Sequence, residues 1–215
     1  MEDVFTKRVK DQLPTVLLTL LSIVQALALE LMWERVLDSE HLYTVSFPAV
    51  VAWLQLAATF LGVLLVWLIY STTVMRFRWV PTTTELMFPF LIGILEFLLV
   101  ALMEPPLLGP WFVVFGVVFV AMSWGTQGTY RRARQDSENE SYFGRIAPAT
   151  WRDFLPVAGV AVAMSAAGTY LWLAGPEHWF AALALAGAIA ALLVQMYSSA
   201  SFWRRTFERK PEAAG

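Results

Sequence analysis

LGPWFVVFGVVFVAMSWGTQGTYRRAR, residues 108–134, decides the fold. An unbroken apolar run leads into hydroxyl and amide side chains and a tyrosine, then stops at Arg131, Arg132 and Arg134. A run of ~20 apolar residues matches the ~30 Å hydrocarbon core of a bilayer. Arginines that close such a run mark the side the chain was not carried across. Five further runs follow the same rule, and the predicted spans are 13–34, 46–75, 86–104, 108–130, 154–174 and 178–203.

The basic residues orient these spans. Lys7, Arg8 and Lys10 precede the first, and Arg76 and Arg78 follow the second. Arg131, Arg132, Arg134, Arg145 and Arg152 lie between the fourth and fifth, and Arg204, Arg205, Arg209 and Lys210 follow the sixth. Of the 15 Lys and Arg residues, Arg35 alone falls on the other side. The expected fold is therefore an all-α integral membrane protein of six transmembrane helices, N-in and C-in, arranged as three sequential helical hairpins. The whole chain, 1–215, reads as one transmembrane domain. Residues 1–12 form an interfacial lead, 13–80, 85–132 and 153–205 are candidate hairpin repeats, and 133–152 is a cytoplasmic loop.

Composition supports this and removes several functions. The chain is 58% hydrophobic and only 15% charged, against ~25% charged in a water-soluble domain. A net charge of −2 gives no electrostatic basis for nucleic-acid binding. Zero Cys excludes disulfides, thiolate metal sites, iron–sulfur clusters and a cysteine nucleophile. His41 and His178 both lie in predicted external loops, which excludes a bis-His haem within the bilayer. No metal or cofactor is expected. The first apolar run follows a polar lead and is long enough to span, so it does not read as a cleaved signal peptide. The excess of Arg over Lys suggests a GC-rich bacterial genome and a cytoplasmic-membrane location.

Each odd span opens with an acid and then a proline: Asp11 and Pro14, Glu85 and Pro89, Asp153 and Pro156. Each even span closes on hydroxyls, aromatics and Arg. Thr82 with Glu85, and Thr150 with Asp153, have the spacing of capping boxes. Trp33, Trp111, Trp172 and Trp179 are expected at the outer boundary, and Trp79, Trp124, Trp151 and Trp203 at the inner one. Trp53 and Trp67 are expected to pack between helices.

The sharpest candidate for chemistry is Glu96, in Leu91-Ile-Gly-Ile-Leu-Glu-Phe-Leu-Leu-Val100. A charged side chain near the bilayer centre costs ~2.5–3.5 kcal/mol, so it should face a partner or water. Gly93, three residues earlier on nearly the same face, permits a close neighbour. Gln25, Glu30 and Gln55 are the other members of a candidate polar path, with Gln55 and Thr59 sharing one face. Arg76, Arg78, Arg131, Arg132, Arg204 and Arg205, together with the hydroxyls beside them, could line a vestibule for an anionic headgroup or substrate. The small residues Gly159, Ala163, Ala167, Ala182, Ala186 and Ala190 suit an internal contact within the third hairpin, or a seam to another copy or a partner membrane protein. No GxSxG, HExxH, Walker A or GxGxxG is present, and no base stands near Ser71, Ser123 or Ser198, so an enzyme is not expected.

Two functions remain. One is a small transport or channel protein moving a proton, cation or small solute past Glu96. The other is a non-catalytic subunit or scaffold binding lipid or a partner membrane protein. A hydrated route to Glu96 favours the first, and a dry, packed interior the second.

Overall fold

The computed structural model describes residues 3–143, 148–175 and 179–208, with all their side chains except those of 202 and 205–208. Arg145, His178, Arg209 and Lys210 fall outside the described residues, as does the Arg205 side chain. The helices are α1 (Val4–Asp38), α2 (Phe47–Arg76), α3 (Thr83–Ala101), α4 (Leu108–Ala133), the one-turn α5 (Glu140–Phe143), α6 (Leu155–Ala174) and α7 (Phe180–Glu208). Six of the helical segments are long and apolar enough to cross a membrane. Among the described residues there is no strand.

Helix α1 departs from expectation. The lead at 1–12 is not a separate interfacial helix, because the first span and the lead form one helix of 35 residues. At ~1.5 Å per residue that is about 52 Å, well beyond the ~30 Å hydrocarbon core. No glycine or proline interrupts residues 4–12. Pro14 lies inside the helix rather than at its start, and is buried. Proline in a helix interior removes the bond to the carbonyl four residues back and crowds that carbonyl. The buried stripe of α1 runs Lys10, Pro14, Leu17, Leu21, Gln25, Ala28, Met32 and Val36, one residue every turn.

Both expected capping boxes are present, Thr82 with Glu85 and Thr150 with Asp153. The start of α2 is capped by Ser46, whose Oγ accepts from the Ala49 N–H at 3.3 Å.

Packing does not follow chain order. The broadest contacts join α4 to α6, α2 to α7 and α1 to α3. Each therefore ties together two different predicted hairpins, while α6 and α7 touch little. Glycines allow the closest of these contacts. A Cβ on Gly168 would lie 2.5 Å from the Gly109 carbonyl oxygen, and one on Gly109 would lie 2.7 Å from that of Gly168. A Cβ on Gly93 would lie 2.2 Å from Val24 Cγ1, so Gly93 lets α3 approach α1 as its position suggested. The small-residue stripe of the third hairpin behaves differently. Gly159, Ala163, Ala186 and Ala190 are exposed, whereas α7 buries Ala181, Leu185, Ala188 and Leu192.

Tryptophan placement is likewise corrected. Trp111 is fully buried and stacks on Phe115 with centroids 4.7 Å apart, and Trp79 is 2% exposed. Trp53 and Trp67, expected between helices, are 45% and 44% exposed. Their N–H groups reach the Leu42 carbonyl and Ser22 Oγ at 3.0 and 3.3 Å.

Candidate functional site

Glu96 and Gln25 meet inside the bundle. Glu96 is 1% exposed and Gln25 4%. The Gln25 Nε2 group donates to Glu96 Oε1 at 2.9 Å and to the Val63 carbonyl at 3.1 Å. One amide therefore ties α1 to both α3 and α2. The other oxygen of each side chain, Glu96 Oε2 and Gln25 Oε1, is buried without a hydrogen-bond partner among the described residues. Because α3 runs Thr83–Ala101 rather than 86–104, Glu96 lies one turn past the middle of its helix, toward the C-terminal end. Ile92, Thr59 and Trp111, all at 0% exposure, belong to the same interior.

The other expected members of the path do not join this pair. Gln55 donates to the Leu102 carbonyl at the C-terminal end of α3, 3.3 Å away. Thr59 donates to the Gln55 carbonyl and accepts from Trp111 Nε1 at 3.2 Å. Glu30 stands on the exposed face of α1, opposite the buried stripe. The polar residues thus form two separate interhelical ties and one outward carboxylate.

A second locus lies at the arginine-rich end. There a recess of about 280 Å3 is walled by Tyr70 and Thr73 of α2, Trp79 from the α2–α3 connection, Glu85 of α3, and Arg131 and Arg132 of α4. Glu85 does more than cap its helix: Oε1 accepts from Thr129 Oγ1 and Oε2 from Arg132 Nε, each at 2.9 Å. The carboxylate side chain is 9% exposed and the guanidinium side chain 32%. Arg132 uses only its Nε in this pairing, so its two terminal amino groups have no protein partner among the described residues. Trp79 Nε1 is buried with no hydrogen-bond partner among the described residues. Of the hydroxyl and arginine clusters expected to form a vestibule, those of α2 and α4 meet here.

The remaining arginines serve other ends. Arg76 lies over the rings of Phe77, Tyr142 and Trp203, at 5.8, 5.7 and 5.4 Å. Arg78 pairs with Asp11 and lies 3.5 Å from Glu138, while Arg204 is exposed. The connection after α4, expected to be a plain polar loop, folds back as a latch. Lys10, 6% exposed, pairs with Asp136 at 2.7 Å and Glu138 at 3.1 Å. Asn139 donates to the carbonyls of Arg78 and Ala133 at 2.6 and 2.7 Å and accepts from the Arg78 N–H. Burial alone would raise the pKa of Asp136. Hydrogen bonds from Lys10 and the Glu138 N–H, with the charges of Lys10 and Arg78, outweigh it and hold the carboxyl below its ordinary value.

Comparison with protein-family profiles, curated proteins and solved structures finds no match.

Chemistry alone must therefore carry the reading. Sequence reasoning chose Glu96, Gln25, Arg131 and Arg132. It missed Trp79, Asn139 and the cross-helix role of Glu85. Glu85 carried a signal: a single capping acid followed after a helical span by a Thr and Arg three apart, on one face of the next helix.

Proposed function

We infer that this chain is a non-catalytic integral membrane protein, with both termini in the cytoplasm, that holds a small ligand in the recess at its cytoplasmic end. The recess between α2, α3 and α4 carries this reading, since it combines open volume with uncommitted donors and an aromatic wall. Ligand sites in membrane bundles are typically concave and mostly apolar, with a few placed polar groups. Catalysis is not favoured because the one carboxylate there is committed to Arg132 and Thr129. The packing around Glu96 argues for binding rather than conduction, since a conducted proton or ion needs a wet route.

Transport remains a second reading on one observation: Glu96 Oε2 and Gln25 Oε1 are buried without a partner among the described residues. A proton on Glu96 Oε2 would supply a donor there, and a transporter would load and unload it.

The binding reading is tested by delipidating the protein in a neutral detergent and adding back a polar lipid extract of the host membrane. The wild type should gain several degrees in melting temperature, because a ligand that binds only the folded state stabilises it. Thr84→Trp, at an exposed lining position, should fill the recess and lose that gain. An equal gain in both proteins would remove the recess from the function.

A further inference from the structure

We propose that the recess is an oxyanion site built for a phosphate group, met by Arg131, the terminal amino groups of Arg132 and the Trp79 N–H. This rests on the reading that the recess binds a ligand, and it names the class. Three features support it.

The first is charge. Two guanidiniums face one carboxylate, and that carboxylate is already occupied by Arg132 Nε and Thr129 Oγ1. Arg132 can thus bridge: Nε stays on Glu85 while its outer amino groups reach an anion. Arg131 is exposed at the same rim. The second is the orphaned donor. Trp79 is 2% exposed, lines the recess, and its Nε1–H has no partner among the described residues. A buried donor without an acceptor carries a desolvation cost, which a ligand oxygen would relieve. The third is the wall. Phe88 and Trp124 line the same recess, and Trp124 is 58% exposed on the outer surface of α4. An anion there can carry an apolar portion out along the helix surface.

These donors come from separate elements: α4 supplies the two arginines and the α2–α3 connection the indole. Acceptors pointing in several directions satisfy them better than the two coplanar oxygens of a carboxylate. A phosphate has that geometry, and arginine binds it through paired N–H groups. The same chemistry can arrive as a lipid phosphate or as free phosphate.

The test uses the full chain, delipidated in dodecyl maltoside, and isothermal titration with three probes: dioctanoyl phosphatidic acid, dioctanoylglycerol and inorganic phosphate. The phosphatidic acid should bind and dioctanoylglycerol should not. Inorganic phosphate that displaces the lipid identifies free phosphate as a sufficient source. If it fails to displace, the lipid form is the ligand, and either outcome supports the oxyanion site.

Trp79→Phe keeps an aromatic ring but deletes the N–H together with the five-membered ring that carries it, and Arg131→Gln deletes an exposed charge. Each should weaken phosphatidic acid about tenfold. Melting temperature should hold in Arg131→Gln, whose side chain has no partner among the described residues, and should fall in Trp79→Phe, which leaves a cavity at a 2% exposed position, so both affinities are read at a temperature where each variant is folded. Equal binding of dioctanoylglycerol and phosphatidic acid, or wild-type affinity in both variants, overturns the phosphate assignment while leaving a ligand-binding recess. Failure of the wild type to bind any probe, with no stabilisation by host lipid, overturns the binding reading as well.

Discussion

At the scale of single residues, the Glu96–Gln25 pair is the clearest case of a cost contained by geometry. A buried ion without a counter-charge is costly, and a neutral carboxyl with one good hydrogen bond much less so. Glu96→Gln keeps the shape and the acceptor, so the melting temperature should stay close to wild type. Glu96→Leu removes one of the two acceptors of the Gln25 amide, the one at 2.9 Å, and leaves the Val63 carbonyl. The cost should be the ~0.6–1.7 kcal/mol of a lost interhelical bond, measured by thermal unfolding in detergent. The same Glu96→Gln protein, reconstituted and assayed for proton flux, decides the transport reading. pH-dependent flux in the wild type that disappears in Glu96→Gln would establish Glu96 as a proton carrier and displace the binding reading. Glu96 and Gln25 were legible because an acid and an amide in apolar runs stand out by composition alone. Trp79 and Asn139 were not, because hydropathy reports depth along a helix and nothing about its azimuth or about loop geometry. Trp53 and Trp67 show the same gap from the other direction, deep in a predicted span yet half exposed.

At the scale of elements, the six apolar spans and the two capping boxes followed from sequence, since apolar length and local hydrogen bonding set them, whereas the extent of α1 did not. Helix partners did not. The contact of α4 with α6 depends on Gly109 and Gly168 meeting backbone to backbone, and glycine in an apolar run carries no mark of which neighbour it serves. The latch between α1 and the segment after α4 rests on ion pairs whose members lie far apart in the chain. Its pH behaviour follows from Asp136, whose folded pKa is depressed below the ordinary 3.8. Such a group contributes stability that is complete above its unfolded value and lost as pH falls through the folded one. The wild type should therefore melt higher than Asp136→Asn from pH 7 down to about 4, and the difference should shrink as pH falls further and passes through the folded pKa. A difference unchanged at pH 3 would mean that Asp136 contributes by packing rather than by charge.

At the scale of the whole molecule, the distribution of Lys and Arg predicts the orientation. Zero native Cys makes the test direct. Glu40 and Glu140 are both exposed and lie at opposite ends of the bundle. A single Cys at position 40 should react with an impermeant maleimide added outside intact cells. One at position 140 should react only after permeabilisation, and the reverse pattern would invert the topology. The order in which six apolar helices assemble stayed illegible, because lipid and protein interior are equally apolar and leave patterning little to discriminate.

The buried Lys10 has a consequence for how the protein is made. It belongs to the first helix to leave the ribosome, while its counter-charges Asp136 and Glu138 arrive more than a hundred residues later; its hydrogen bond to Glu138 spans a separation of 128. At ~5–20 residues per second, that is a wait of roughly 6 to 25 seconds. Until then those two ion pairs are missing from the end of the first helix that carries Lys10. Synthesis therefore leaves the N-terminal helix provisional. The segment after the fourth helix has to emerge before the Lys10 ion pairs can form.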